Sequence, residues 1–223
     1  MRPVCSLLTV VWVAMAISPQ RVNARAITTE SGRERRPPNL SLTVSLERVR
    51  YCKGDANGYT VHFGMTVRFT NRDPGRVIMY RPTKPIDITS GQVSKSTKAL
   101  LHGEYETTLD YDTFVEPPTI SDSAKPDRRF AIVGPGKSYA LKANVAVLVR
   151  FRPSPPIPGT IAHGTHVMTI NVIDWPFTVD SGERLYARWA NLGVLNYRSN
   201  TSEPFEFSIP AIPVLQDCSG SRE

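Results

Sequence analysis

The sequence predicts a mostly β protein, an antiparallel β-sandwich with one short helix in its C-terminal third, on three observations. Apolar and polar residues alternate over long stretches, turn-forming residues separate those stretches, and a single segment carries helical spacing.

The alternation starts where Leu40, Leu42, Val44 and Leu46 are apolar while Ser41, Thr43, Ser45 and Glu47 are polar, the period of a half-buried strand. From Tyr59 it is stricter: Tyr59, Val61, Phe63, Met65, Val67 and Phe69 face one way, and Thr60, His62, Gly64, Thr66, Arg68 and Thr70 the other. The two runs are expected to be antiparallel neighbours. They are joined through Gly54-Asp55-Ala56-Asn57-Gly58, in which an Asn-Gly pair supplies the positive φ of a tight reversal. Asn71 to Gly75 carries turn chemistry, and Val77 to Tyr80 restarts a short strand before Pro82 and Pro85; prolines on both sides predict an edge position. Weaker strands are expected at Tyr105 to Tyr111 and Arg129 to Val133. Gly134-Pro135-Gly136 then reverses the chain into the longest alternating run, with Tyr139, Leu141, Ala143, Val145, Val147, Val149 and Phe151 on one face.

Arg152 to Gly159 holds four prolines and reads as an extended connector. Only about 60 residues come after it, too few to favour an independent second core, so it is expected to be a loop within one domain. His166 to Asp174, Val194 to Tyr197 and Glu203 to Ile209 read as the remaining strands. Between them Ser181 is placed to cap a helix whose apolar stripe is Leu185, Trp189 and Leu192, ending at Gly193.

Residues 1–26 have the order of a cleaved signal peptide: Arg2, an apolar stretch from Leu7 to Ile17, then the small-x-small site Ala24-Arg25-Ala26. The apolar run is about 12 residues long where a membrane-spanning helix needs roughly 20, so no membrane span is expected. Cys5 precedes that run and is not positioned as a lipidated cysteine. Residues 27–38 form a polar, arginine-containing leader expected to be disordered, residues 39–218 the single domain, and residues 219–223 a tail. The implied location is secreted or periplasmic.

Removing residues 1–26 takes three arginines and no acid, so 27 basic against 20 acidic residues becomes 24 against 20, a net charge of +4. No Lys/Arg block with interleaved aromatics occurs, which argues against nucleic acid as a partner. The same cleavage leaves only Cys52 and Cys218, an even pair in a compartment that permits disulfides. They are expected to pair, the alternative being two free thiols. The bond would close a loop worth roughly 5 kcal/mol in the chain-entropy description.

The alternating strand ending in Phe69-Thr70-Asn71, the short Val77 to Tyr80 strand, and the Pro135-Gly136 turn before another alternating strand together resemble bacterial extracellular immunoglobulin-like sandwiches. The likeness covers the first two thirds of the mature chain and implies a binding, spacing or scaffolding role. The helix near Trp189 departs from it, as does the Cys and Trp spacing of antibody-type domains, which is absent.

Four groups of residues could carry chemistry. Ala131 to Ser138 satisfies a relaxed phosphate-loop pattern, but a strand comes after Ser138 where that motif needs a helix N-terminus, so a turn is expected. His163 and His166 invite a zinc reading with Asp174 or His102 as further ligands, although histidines three apart point to opposite faces of a strand unless Gly164 bends the chain. Asp55, Asn57 and Gly58 carry part of a calcium-loop pattern without its distal glutamate. Glu104, Glu106, Asp110 and Asp112 could supply the paired carboxylates of a glycoside hydrolase. Asn39-Leu40-Ser41 and Asn200-Thr201-Ser202 fit the N-glycosylation pattern. No serine elbow or Cys-His pair occurs.

The expectation is therefore a non-catalytic exported protein, without cofactor or metal, that binds a protein or cell-envelope component. One alternative is a proteinase-inhibitor-like sandwich whose entering loop would be Pro153 to Pro158, since prolines lower the ordering cost of binding. The other is a metal-dependent or carboxylate-based hydrolase built on the groups above.

Overall fold

The computed structural model describes residues 36–54, 58–110, 117–150 and 160–218. The expected signal peptide, residues 27–35 of the leader, Asp55, Asn57, Tyr111, Asp112, the Pro153 to Pro158 segment and the 219–223 tail lie outside the described residues. The chain divides into Met1–Arg36 and a body, Pro37–Glu223, to which all the described strands and helices belong.

The body is mostly β. In chain order it runs β1 (Leu40–Lys53), β2 (Gly58–Asn71), β3 (Val77–Tyr80), β4 (Ile86–Asp87), β5 (Ser90–Ser94), α1 (Thr97–Leu101), β6 (Thr107–Asp110) and β7 (Phe130–Val133). It continues through β8 (Ser138–Arg150), β9 (Thr160–Ile161), β10 (Gly164–Val172), α2 (Val179–Arg188), β11 (Val194–Leu195), β12 (Asn200–Thr201) and β13 (Phe205–Ile209). Among the described residues these form three sheets: β1-β2-β8-β4 with β9 also on β8, β12-β10-β5-β6 with β13 also on β10, and β11-β3-β7.

The two longest strand pairs arise directly from the alternation. β1 and β2 pair antiparallel from Leu40↔Asn71 to Lys53↔Tyr59, with one irregularity between Leu46 and Arg48. β8 takes the other side of β2, from Gly58↔Arg150 to Thr70↔Ser138. Gly58 is a strand residue here, not the positive-φ turn residue that the Asn-Gly pair predicts. A Cβ at Gly58 would stand 2.3 Å from the Val149 carbonyl oxygen, so close backbone approach is what demands glycine. Gly136 does occupy the left-handed region, at φ 68°, and Lys137 N–H donates to the Gly134 carbonyl at 3.1 Å, closing the turn from β7 into β8.

The main core takes residues from all three sheets, including Phe63, Val67 and Val147 from the first, Met168, Ile170 and Phe207 from the second, and Val77 and Met79 from the third. The Phe63 and Phe207 rings meet edge to face, with centroids 5.0 Å apart. A second cluster lies on the other face of β3 and β7: Ile78 and Phe130 pack with Trp175, Phe177, Leu185, Trp189, Leu195 and Tyr197.

This corrects the edge assignment of Val77 to Tyr80. β3 is the central strand of its sheet, parallel to β11 and antiparallel to β7, and Val77, Ile78 and Met79 are all buried. Pro74 and Pro82 lie outside the four paired residues and remove no ladder hydrogen bond. A strand covered on both faces reads as a continuous apolar run, which is the signal Val-Ile-Met carries.

The helix expectation also needs correction. The N-cap of α2 is Thr178, whose Oγ1 accepts from Ser181 N–H at 3.2 Å, so Ser181 lies inside the first turn. Trp189 is the C-cap. The short helix α1 has no counterpart in the sequence-based reading; Ser96 caps it, accepting from Ala99 N–H at 3.2 Å. The strand expected over Tyr105 to Tyr111 begins only at Thr107.

Candidate functional site

Of the residues that could have carried catalysis, the structure brings His166 and Glu106 into contact, while Asp112 lies outside the described residues. His166 is wholly buried on the inward side of β10, stacked on Phe207 with ring centroids 5.4 Å apart. Its Nε2 donates to the Ala162 carbonyl at 3.0 Å, and its Nδ1 meets the Glu106 carboxylate at 2.6 Å. Lys95 holds the other Glu106 oxygen at 2.7 Å. Both imidazole nitrogens are therefore engaged by the protein, and neither offers a lone pair to an ion. His163, although Gly164 does adopt a positive φ of 128°, is exposed. His102 is an exposed residue at the end of α1. Among the described residues, no three of His, Cys, Asp and Glu are grouped to hold a metal ion.

Glu106 is thus engaged by both His166 and Lys95. Glu104 and Asp110 are both exposed. The phosphate-loop segment Ala131 to Ser138 is a turn between strands, and β8 begins at Ser138 where a helix would be required. Of the two sequons, Asn39 is exposed, while the Asn200 amide donates to Asn196 Oδ1 at 3.1 Å and to the Arg198 carbonyl at 3.0 Å.

Asp174 is 2% exposed. Asn196 Nδ2 donates to its Oδ1 at 3.1 Å, whereas Oδ2 has no hydrogen-bond partner. Burial without full compensation pushes the carboxyl up to about 7, against the opposing pull of its own backbone amide and of Asn196.

The arrangement best suited to an external task lies elsewhere, between β13 and the edge of β1. On its N-terminal side the chain is held by β13, where Phe207 and Ile209 are buried and Ile209 pairs with Gly164 of β10. On its C-terminal side Leu215 packs against the main core. Gln216 N–H donates to the Tyr51 carbonyl at 2.8 Å, and Lys53 N–H donates to the Gln216 carbonyl at 2.9 Å, which adds a parallel bridge to the end of β1. Cys218 then forms the expected disulfide with Cys52, their Cα atoms 5.5 Å apart. The bond closes 166 residues of chain.

Between these anchors stand Pro210, Ala211, Ile212, Pro213 and Val214. Ile212 is 91% exposed and Val214 is 82% exposed, more than any other large apolar side chain among the described residues. No charged residue occurs from Ile209 to Gln216. Each proline fixes its own φ, and Pro213 also restricts Ile212 before it. The segment is therefore short, apolar, conformationally limited and tied at both ends. It can present aliphatic side chains to a concave partner with little ordering entropy left to lose.

Sequence reasoning passes over this segment because the proline criterion selects residues 153–158, the denser cluster. The usable signal is an apolar Pro-x-x-Pro stretch between an alternating strand and a cysteine. The chain matches no protein-family model and no curated protein sequence.

Proposed function

We propose that the protein is an exported, non-catalytic β-sandwich, immunoglobulin-like over its first two thirds, that binds a protein or cell-envelope component through the clamped segment Pro210 to Leu215. The apolar contact of β2 with β13 through Phe63 and Phe207 supports two stacked layers. The Cys52–Cys218 disulfide supports a secreted or periplasmic location. Among the described residues, no helix is long and apolar enough to cross a membrane. The engagement of His166 and Glu106 within the fold weighs against a hydrolase built on them.

The observation that carries the reading is the exposure of Ile212 and Val214 on a segment that the fold holds in place. Isolated surface aliphatics need no explanation, but two of them on a doubly anchored, uncharged loop form a presentable ligand. The test is capture from the extracytoplasmic fraction of the protein's own cells, comparing the native chain with the Ile212→Asp/Val214→Asp double variant. The native chain alone should retain a partner. Equal retention by both chains, or retention by neither, overturns the assignment.

A further inference from the structure

We infer that the clamped segment is a reactive-site loop directed at a serine protease of the elastase type, with Val214 offered to the primary specificity pocket and the Val214–Leu215 bond offered for attack. This deepens the reading of Pro210 to Leu215 as the binding site and rests on it.

Three features of the loop carry the assignment. The small specificity pocket of an elastase-type enzyme takes a compact aliphatic side chain, and Val214 is such a residue, 82% exposed. Pro213 immediately before Val214 limits the backbone on the approach side, which reduces the entropy lost when the loop enters a cleft. Ile212, though still more exposed, is followed by a proline nitrogen that lacks an N–H, which leaves Val214–Leu215 as the better-formed bond for attack.

The anchors explain why attack would stall. The protease serine Oγ adds to the Val214 carbonyl carbon, and its proton passes through the protease histidine to the Leu215 nitrogen as the C–N bond breaks. The products of this step are an ester at Val214 and a free amine on Leu215. In an ordinary substrate that amine diffuses away and water hydrolyses the ester. Here Leu215 is seated against the main core, Gln216 is hydrogen-bonded in both directions to β1, and Cys218 is covalently tied to Cys52. On the acyl side, Ile209 is held in β13. The amine stays beside the ester at high effective concentration, attacks it, restores the peptide bond and returns the proton to the serine. Tight occupation with slow net hydrolysis results.

The experiment is the rate at which pancreatic elastase cleaves a chromogenic peptide, measured while the purified full chain is titrated in. The native chain should slow the enzyme in a dose-dependent manner. Val214→Glu, which places a charge in an apolar pocket, should weaken the inhibition by about 100-fold. Val214→Arg should lose elastase and gain trypsin, whose pocket takes a basic side chain. Both substitutions fall at an exposed position and should leave the fold intact by circular dichroism. Where the Cys52→Ala/Cys218→Ala chain folds, it should be cut at Val214–Leu215, releasing the C-terminal peptide. If elastase is not slowed at micromolar chain, if the native chain is consumed as a substrate, or if Val214→Glu inhibits equally, the inference falls. Should elastase be unaffected while envelope capture still depends on Ile212 and Val214, the protease assignment alone fails and the binding segment stands. Loss of both removes both.

Discussion

The main core and the aromatic cluster beneath α2 are both apolar and both buried, yet they treat their polar residues differently. In and around the main core the wholly buried side chains of His166 and Asn71 are satisfied, while on the last residue of β8 the buried Arg150 Nε has no hydrogen-bond partner. His166 uses both ring nitrogens, and Asn71 donates to the Gly75 and Val133 carbonyls while its Oδ1 accepts from Asp73 N–H. Beside the aromatic cluster, Asp174 precedes Trp175 and bonds to Asn196, between Leu195 and Tyr197, with one carboxylate oxygen left unpaired. The main core is built largely from long paired strands, whose regular ladders leave few backbone or side-chain groups to place. The aromatic cluster draws on β3, β7, β11, α2 and the loops at Ile120 and at Trp175 to Phe177, so several chain directions converge on it. A core assembled from many short segments can thus be as dry as a strand-built one and still leave a buried acid incompletely paired.

Emptying either core tests whether the two regions are one cooperative unit. Trp189→Ala and Phe63→Ala each remove a wholly buried ring and should each cost about 4 kcal/mol. Two of the three tryptophans, Trp175 and Trp189, lie in the aromatic cluster, so in the Phe63→Ala chain fluorescence tracks that cluster while far-ultraviolet circular dichroism tracks the strands. Coincident transitions by both probes are expected. A fluorescence transition separated from the strand transition would divide the molecule into two independently melting parts.

The next effect sharpens the electrostatic contrast. The folded chain holds the Asp174 proton up to about pH 7, whereas the unfolded chain releases it near 3.8. Between those values the native state binds more protons than the unfolded state, so this group's contribution to stability falls as pH rises and is flat above the interval. Asp174→Asn retains an oxygen for Asn196 and cannot ionise. It should raise stability at pH 8 by on the order of 2 kcal/mol and leave it nearly unchanged at pH 4, read from urea midpoints. An identical pH slope in the variant and native chains would show that Asp174 is not the uncompensated group.

The smallest effect separates the two readings of where α2 begins. Thr178→Ala removes the N-cap acceptor and should cost about 1 kcal/mol. Ser181→Ala, at the residue the sequence nominates as the cap, should cost less. The reverse order, measured by thermal unfolding, would restore the later start.

What is legible in the sequence is whatever depends on residues close together in the chain. β2 and β8 can be read because their inward residues recur at every second position, and the turn at Pro135-Gly136 because its residues impose its geometry. β3 is legible as a strand but not as a central one, since its position depends on β11 arriving more than a hundred residues later. Of the candidate sites, only the disulfide partners can be named from the sequence as a pair. Glu106 and His166 each stand out, but for two different chemistries, because nothing local indicates that they face one another. The clamped loop is hidden for the same reason: Pro210 to Val214 gains its meaning from Tyr51, Cys52 and Lys53.

Local patterning alone establishes which side of each long strand is apolar, the reversal at Pro135-Gly136, and which two cysteines remain to pair after the expected cleavage. Strand alternation is a property of the backbone, and cysteine availability is a matter of count. Long-range packing is what covers β3 on both faces, brings His166 to Glu106, buries Asp174 with an unpaired oxygen, and leaves Ile212 and Val214 exposed between two anchors. Each of those depends on segments distant in sequence meeting in space, where desolvation and hydrogen bonding set the chemistry of a side chain.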